Sequence, residues 1–174
     1  MADDEVVLTT ERLVLRRLRP SDAATIAEYR SAPDVAQLQA WDAPFSEAAA
    51  AELIADVAGH VIGAPGWSQL GLVRRDTDEL IGDCGVNGHD RVTVELGFTV
   101  AQPHWRQGYA KEAVGAVVDL LLGPLGFTIV VAEADPANAA SIALLESLGF
   151  TLVSRTDDEV HYAHTRPKPP HLGA

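Results

Sequence analysis

Residues 103–111 combine a glycine with two cations in a chain that is otherwise acidic. Gly108 allows a ligand to approach the backbone closely, and successive N–H groups at the start of a helix can hold phosphate oxygens. Arg106 and Lys111 add positive charge at the same place. The pattern is neither G-x-G-x-x-G nor a P-loop, so by itself it also fits an ordinary strand-to-helix turn whose glycine serves packing.

A second segment, residues 135–150, carries polar groups at the start of a predicted helix. Asn138 and Ser141 are three residues apart, which places their side chains on one face of that helix. The small residues Ala139 and Ala140 leave room beside them. The pair can therefore bind a ligand that lies against the helix start, or it can cap the helix.

Glu95 is a candidate general base on the strand that precedes the glycine segment. In the alternating pattern of residues 92–100, it faces away from the apolar side chains. If helices cover both faces of the sheet, this carboxylate is partly removed from water, which suits a group that accepts a proton. A salt-bridged or solvated carboxylate is the competing interpretation. His89 and His104 flank the same region and are weaker candidates, since exposed loop histidines are common.

Other reactive side chains indicate structural roles. Cys84 is the only cysteine, so we expect a buried apolar thiol, with neither a disulfide nor a cysteine zinc cluster. His161 and His164 share a predicted terminal strand region with Glu159. Their spacing does not give a fixed ligand set, so we expect no metal site.

Hydrophobic periodicity predicts a mixed α/β domain in which helices alternate with mostly antiparallel strands. Asp135 is the predicted cap of the last helix, Pro136 its first residue, and Gly149 its left-handed end. The predicted strands are residues 12–18, 67–74, 80–86, 92–100, 127–132, 150–154 and 159–164, and the predicted helices are 23–30, 46–59, 108–122 and 136–148.

Length and charge limit the partners. The chain has 174 residues, of which 25 are acidic and 13 basic, giving a formal net charge of −12. This acidity argues against nucleic acid and anionic membranes as partners and favours cationic ones. The length predicts a single domain, residues 1–174, with an extended Pro-rich tail at 166–174.

Segment 113–132 is apolar, but Asp119 interrupts it and a Gly-Pro pair at 123–124 breaks any continuous helix. It therefore predicts a buried helix and a core strand, and no membrane span. The acidic N-terminus lacks the order of a signal peptide. Together with the single cysteine, these features favour a cytoplasmic protein.

The two polar segments, in this order, resemble the acyl-CoA-binding core of the GNAT N-acetyltransferase superfamily. Further motifs resemble its branch of Rim-type ribosomal-protein N-terminal acetyltransferases, and the likeness covers residues 8–162. These motifs are Thr10-Glu11-Arg12-Leu13-Val14-Leu15-Arg16, Trp41-Asp42-Ala43-Pro44-Phe45-Ser46, Leu80-Ile81-Gly82-Asp83-Cys84-Gly85 and Glu95-Leu96-Gly97-Phe98. The resemblance implies a GNAT fold, with a mixed sheet of about seven strands, a central splay and about four helices.

The resemblance also implies an acetyl-CoA-dependent N-acetyltransferase that needs no metal. Backbone amides at 106–110 would hold the CoA pyrophosphate, and the pantetheine arm would enter the splay. Glu95 would accept the proton of the amine, directly or through water, and Ser141 would stabilise the departing thiolate. The amine would attack directly, without an acyl-enzyme. The implied cofactor-binding residues are Phe98, Thr99, Val100, Arg106, Gln107, Gly108, Tyr109, Ala110, Lys111, Asn138 and Ser141, and the implied acceptor-binding residues are Trp41, Phe45, Asp83 and Glu95.

Two positions depart from the superfamily pattern. Trp105 stands where the glycine loop usually begins with Gln or Arg, and Leu144 and Leu145 stand where many members carry a tyrosine general acid. The Rim-type branch tends to use the serine, which favours Ser141, with Tyr162 as a distant candidate.

The acceptor and the oligomeric state stay open at this point. A protein or peptide N-terminus is preferred as acceptor, with an aminoglycoside-like antibiotic or a polyamine as the alternative, and a homodimer is compatible with the resemblance. A non-catalytic acyl-CoA-binding module is the competing class, against which the presence of both Glu95 and Ser141 argues. Trp41 and Phe45 either wall the acceptor pocket or anchor their own loop.

Overall fold

One mixed sheet with helices on both faces organises the chain. The computed structural model describes residues 6–167. Its strands are β1 (Val6–Thr9), β2 (Leu13–Arg17), β3 (Trp67–Arg74), β4 (Leu80–Gly88), β5 (Thr93–Val100), β6 (Ile129–Ala134), β7 (Thr151–Arg155) and β8 (Val160–Thr165). Its α-helices are α1 (Ala23–Ser31), α2 (Pro33–Ala36), α3 (Glu47–Val57), α4 (Tyr109–Leu122) and α5 (Ala139–Ser147).

The sheet has the order β1-β2-β3-β4-β5-β6-β8-β7. All neighbouring strands are antiparallel except β5 and β6, which run parallel and pair only from Thr93↔Ile129 to Glu95↔Val131. Beyond this last pair, β5 continues to Val100 beside β4 and β6 continues to Ala134 beside β8, but β5 and β6 no longer pair with each other. The two strands therefore part in the middle of the sheet, and the predicted central splay is confirmed.

Hydrophobic side chains bury the sheet on both faces. On one face α4 contributes apolar residues spaced three or four apart, from Ala113 to Leu121, which pack with Val94 and Leu96 of β5. On the other face α1 and α3 pack over the first half of the sheet through Ile26 and a smaller set of apolar residues. Of these helices, α4 packs on β5 beside the splay, whereas α1 and α3 pack on β4 and β3.

The structure adds one strand and one short helix to the predicted set. The eighth strand, β1, is a short edge strand that pairs only with β2 and is only partly buried, so it has little hydrophobic alternation to reveal it. The added helix, α2, is a single turn that begins at Pro33, three residues after the predicted end of the first helix. Proline's fixed φ suits the first turn of a helix, so it starts one here.

The predicted ends of the last helix are confirmed at Gly149 and wrong at Asp135 and Pro136, because α5 begins at Ala139. Ser46 accepts a hydrogen bond from the Ala49 amide at 3.0 Å, and Gly149 has φ +90° after α5. The prediction that Asp135 caps α5 is wrong, because Asn138 is its N-cap. Asp135 instead accepts from the Ala137 amide at 2.7 Å in the preceding turn.

Cys84 and the apolar side chains of α4 lie in the folded core. Cys84 is buried, and burial raises the pKa of its thiol, as expected for an unreactive apolar cysteine. Within residues 6–167 no helix is long and apolar enough to cross a bilayer. Of the predicted tail, residues 168–174 lie outside the described part of the chain.

Candidate active site

A cavity of about 690 Å³ opens where β5 and β6 part. Its walls are the end of β5, the starts of α4 and α5, and the turn that follows α2. It brings together ten of the residues implied to bind the cofactor, which are Phe98, Thr99, Val100, Arg106, Gly108, Tyr109, Ala110, Lys111, Asn138 and Ser141. Segments that are distant along the chain thus form one site.

The loop before α4 presents its amides to this cavity. Arg106 and Gly108 adopt left-handed φ values of +60° and +82°, and Gly108 is the N-cap of α4. The backbone N–H groups of residues 106–111 donate no hydrogen bond to any residue in the 6–167 range. Unpaired amides at a helix start, in a turn with left-handed residues, form an anion-binding concavity. These residues therefore fit a pyrophosphate.

Arg12 contacts this loop and the first turn of α4, and the sequence analysis did not identify it as a site residue. Its Nη1 donates to the carbonyl oxygen of Gln107 at 2.8 Å, its guanidinium lies 4.4 Å from the Tyr109 ring centroid, and its Nε pairs with Glu112 at 2.7 Å. The only sequence signal was its place in the N-terminal motif, which does not show a contact with a helix 100 residues away.

Glu112 lies in the first turn of α4, where its charge bears on an anion site. Partial burial by itself raises the pKa of this carboxyl, but hydrogen bonds from Thr10 and Arg12, with the Arg12 charge, outweigh it and hold the pKa below its ordinary value. Glu112 is thus ionised and locally neutralised by Arg12. The pairing limits its repulsion of a phosphate at the same helix start.

The start of α5 forms the opposite wall. The Oδ1 atom of Asn138 accepts from the Ser141 amide at 3.1 Å, so the capping interpretation of this pair is correct. The Nδ2 group of Asn138 and the hydroxyl of Ser141 make no hydrogen bond within the described residues. Both side chains line the cavity, so capping leaves them free to contact a ligand.

Glu95 lies at the apex of the splay, on the last residue pair between β5 and β6. It does not line the cavity; its carboxylate contacts Nε2 of His89 at 2.7 Å. The Glu95 side chain is 19% exposed, whereas that of His89 is 45% exposed. Glu95 therefore lies three residues before Phe98, the first residue of β5 that lines the cavity, and its carboxylate is partly exposed.

Residues 12–151 match the family described as Acetyltransferase (GNAT) domain. The chain belongs to the GNAT family. Within it, the N-acetyltransferase p20 of Bacillus licheniformis, itself uncharacterized, is 32% identical over 145 residues, which cover 82% of this chain and 81% of p20. The protein is accordingly an N-acetyltransferase, and the family takes its acetyl group from acetyl-CoA.

Solved structures agree with this fold. The ribosomal L7/L12 alpha-N-protein acetyltransferase RimL, in complex with coenzyme A, has a TM-score of 0.76 at 15% identity, covering 92% of this chain and 98% of RimL. RimJ of Mycobacterium smegmatis, in complex with CoA-disulfide, has a TM-score of 0.75 at 19% identity, covering 93% of this chain and 89% of RimJ. At these identities the likeness shows the fold alone.

Asp83 of this GNAT protein is held in a buried network. Its carboxylate accepts from the Tyr29 hydroxyl, from Nη2 of Arg30 at 3.0 Å and from Nε2 of Gln69 at 2.5 Å. Burial, then the Asp83 charge, raises the pKa of Tyr29 well above its ordinary value, so the phenol stays protonated and donates. Asp83 is 1% exposed and lies outside the cavity, so the geometry supports a positioning role and gives no support to direct contact with an acceptor.

The implied acceptor-wall aromatics pack on the same arginine. The Arg30 guanidinium lies 4.2 Å from the Trp41 ring centroid and 5.3 Å from that of Phe45. The Trp41 indole also donates to the Arg30 carbonyl at 2.9 Å. These contacts anchor the loop, as one of the two sequence interpretations proposed, and both rings are only half-buried. Neither lines the cavity, so contact with an acceptor stays a prediction.

Trp105, Gln107 and Tyr162 all use the polar groups of their side chains in hydrogen bonds within the fold. The Trp105 indole lines the cavity and donates to the Val100 carbonyl at 2.6 Å. Gln107 does not line it, and its side chain donates to the Pro103 carbonyl at 3.0 Å. The Tyr162 hydroxyl donates to Glu146 at 2.8 Å and lies outside the cavity. Ser141 is thus better placed than Tyr162 to meet a thiolate.

Proposed function

We propose that the protein transfers the acetyl group of acetyl-CoA to the N-terminal amine of a protein or peptide, by direct attack in a ternary complex. The observation that carries this proposal is the cavity at the splay. The cavity joins unpaired helix-start amides, the end of β5 that has no partner on the β6 side and the Ser141 hydroxyl, and Glu95 lies outside it at the point where β5 and β6 part.

The chain supplies each requirement of cofactor binding. The amides of residues 106–111 suit the two phosphates, with Arg106 and Lys111 adding charge. On the side that faces β6, the residues of β5 beyond Glu95 have no strand partner, and they offer backbone groups to an extended amide-containing arm, as an edge strand does. The Asn138 side-chain amide and the Ser141 hydroxyl lie across from it. This set fits a nucleotide with a long thioester arm.

Glu95 and Ser141 would each assist one part of the acetyl transfer. The amine nitrogen attacks the thioester carbonyl carbon, the carbon–sulfur bond breaks, and the proton of the amine passes to Glu95 directly or through water. Ser141 donates a hydrogen bond to the departing thiolate. No acyl-enzyme is required, because a neutral amine is already a good nucleophile.

A cationic acceptor agrees with the charge of the protein. The net charge of −12 attracts an N-terminal ammonium group, and the neutral amine forms only when a base removes a proton. The name of the RimL neighbour describes an alpha-N-protein acetyltransferase, which supports a protein N-terminus as the acceptor class.

An acetyl-CoA turnover screen tests this function. Free thiol release and product mass are followed with N-terminal peptides, an aminoglycoside and a polyamine as separate arms. We expect turnover with peptides, with the acetyl group on the α-amine. Turnover only with a small amine would replace the acceptor class, whereas CoA binding without turnover of any amine would indicate a non-catalytic module.

The cofactor site is tested by a pair of glycine variants. Gly108 and Gly126 have φ values of +82° and +79°, so alanine at either should cost about 1–2 kcal/mol of stability through the same left-handed strain. We expect only Gly108→Ala to weaken CoA binding, by about fivefold or more, because it distorts the amide cradle. Calorimetric titration with CoA and urea unfolding measure the two effects. Equal CoA affinities in the two variants would contradict the proposed phosphate site.

A further inference from the structure

We infer that Trp67 is an acceptor-binding platform that supports the peptide chain next to the reacting amine. This inference rests on the proposed function and adds a contact residue for the acceptor. Trp67 begins β3, is 41% exposed and does not line the cofactor cavity. Neither the sequence motifs nor the cavity identifies it.

The sheet register places Trp67 on the same face as Glu95. Trp67 lies directly opposite Asn87 of β4, and Asn87 lies directly opposite Glu95 of β5. Directly opposed residues share a face of a sheet, so all three point to the same side. Thr99, which lines the cofactor cavity, lies on this same face of β5, whereas Phe98 lies on the opposite face. An amine that approaches the Glu95 carboxylate from this side of the sheet therefore approaches on the face that carries Trp67.

Two opposed glycines let the indole lie flat against the sheet. Gly85 and Gly97 are paired across β4 and β5. A Cβ added at Gly85 would stand 3.0 Å from the Trp67 ring, and one added at Gly97 would stand 3.9 Å from it. The ring thus covers backbone that has no side chains and extends toward the strand of Glu95. Its remaining exposed surface is available for stacking.

The backbone of Trp67 is fixed before any acceptor arrives. Nδ1 of His60 lies 2.7 Å from the Trp67 carbonyl oxygen, and the amide of the preceding Gly66 donates to the Asn87 side chain at 3.0 Å. A large aromatic held in place by its backbone binds a partner with little loss of conformational entropy.

The position of the ring selects the class of acceptor. An ammonium group is attracted both by an aromatic face and by the Glu95 carboxylate beside it. A peptide N-terminus supplies such a group followed at once by a planar amide and an apolar side chain, which can lie on the indole. A polyamine and an aminoglycoside also carry ammonium groups, but neither has a planar amide next to the reacting amine that could stack on the indole.

The experiment compares steady-state kinetics of Trp67→Ala, Trp67→Phe and wild type with a peptide acceptor. We expect Trp67→Ala to raise KM for the peptide about three- to tenfold, and Trp67→Phe to recover most of the loss. KM for acetyl-CoA should stay at the wild-type value. An unchanged peptide KM in Trp67→Ala, or an equal rise in both KM values, would overturn the platform.

A second variant keeps the tryptophan and moves it. Gly85→Ala places a methyl group against the ring, so we expect it to raise the peptide KM as well, even if Trp67→Ala were to fold poorly. Val153→Ala, at a 66% exposed position on β7, is the control for loss of an exposed apolar side chain. If the wild-type protein acetylates only small amines, the proposed peptide acceptor is wrong, and the role of Trp67 inferred here is wrong with it. Cofactor binding is unaffected by that outcome. If the wild-type protein acetylates peptides but Trp67→Ala leaves the peptide KM unchanged, only the role of Trp67 is wrong.

Discussion

Glu95→Gln is expected to lower kcat about 10²- to 10⁴-fold, the usual contribution of a general base. Glutamine keeps the size and the hydrogen-bonding oxygen of the side chain but cannot accept the proton of the amine. Because Glu95 lies at the apex of the splay and outside the cofactor cavity, KM for acetyl-CoA should change little.

A matched variant separates the position from the type of substitution. Glu133 is also a strand glutamate, on β6, and its side chain is 48% exposed and paired with His161. Glu133→Gln should keep the wild-type kcat. Stopped-flow and steady-state rates with saturating acetyl-CoA give the comparison. A kcat for Glu95→Gln within threefold of wild type would remove the base assignment.

Glu95 also contacts a histidine, His89, which offers its proton a route to solvent. His89 is the more exposed partner, and its Nε2 atom lies 2.7 Å from the Glu95 carboxylate. A base in contact with an exposed imidazole can pass its proton to solvent through that ring. His89 follows β4 in a turn, and the sequence pattern alone made it only a weaker candidate base.

The parts of the candidate site that are formed by a few neighbouring residues could be predicted from the sequence. The glycine segment and the Asn138–Ser141 pair each form their part of the site within a few residues, at a helix start. Their chemistry depends on amides and caps whose positions the local pattern determines. The splay was predictable only through the resemblance, since the strand pattern does not reveal where pairing stops.

Residues that act across the fold were not predictable. Arg12 reaches the α4 loop from 95 residues away, and Trp67 and Glu95 share a face of the sheet only through the register of three strands. Asp83 looks like a site acid in its motif, yet a helix more than 50 residues earlier supplies Tyr29 and Arg30 to bury it. Such contacts depend on register and helix packing, which a single sequence does not specify.

That buried network leads to the second large effect. Asp83→Asn is expected to destabilise the protein by about 3–5 kcal/mol, because it leaves the Arg30 guanidinium buried without its counter-charge. The Arg30 and Asp83 side chains are only 8% and 2% exposed, so water cannot replace the lost carboxylate. In contrast, Asp76→Asn breaks an ion pair with Arg74 in which Asp76 is 65% exposed, so it should change the stability of the protein little.

Urea unfolding of Asp83→Asn, Arg30→Met and the double variant distinguishes a coupled pair from two separate losses. If the charges stabilise each other, the double variant should lose less than the sum of the single changes; additive losses would contradict the pairing. Arg30 also supports Trp41 and Phe45, so the folded single variants should show a higher KM for the acceptor. Their CoA affinity should stay unchanged, because neither Arg30 nor Asp83 lines the cavity. A fall in CoA affinity would instead show that the network extends to the cofactor wall.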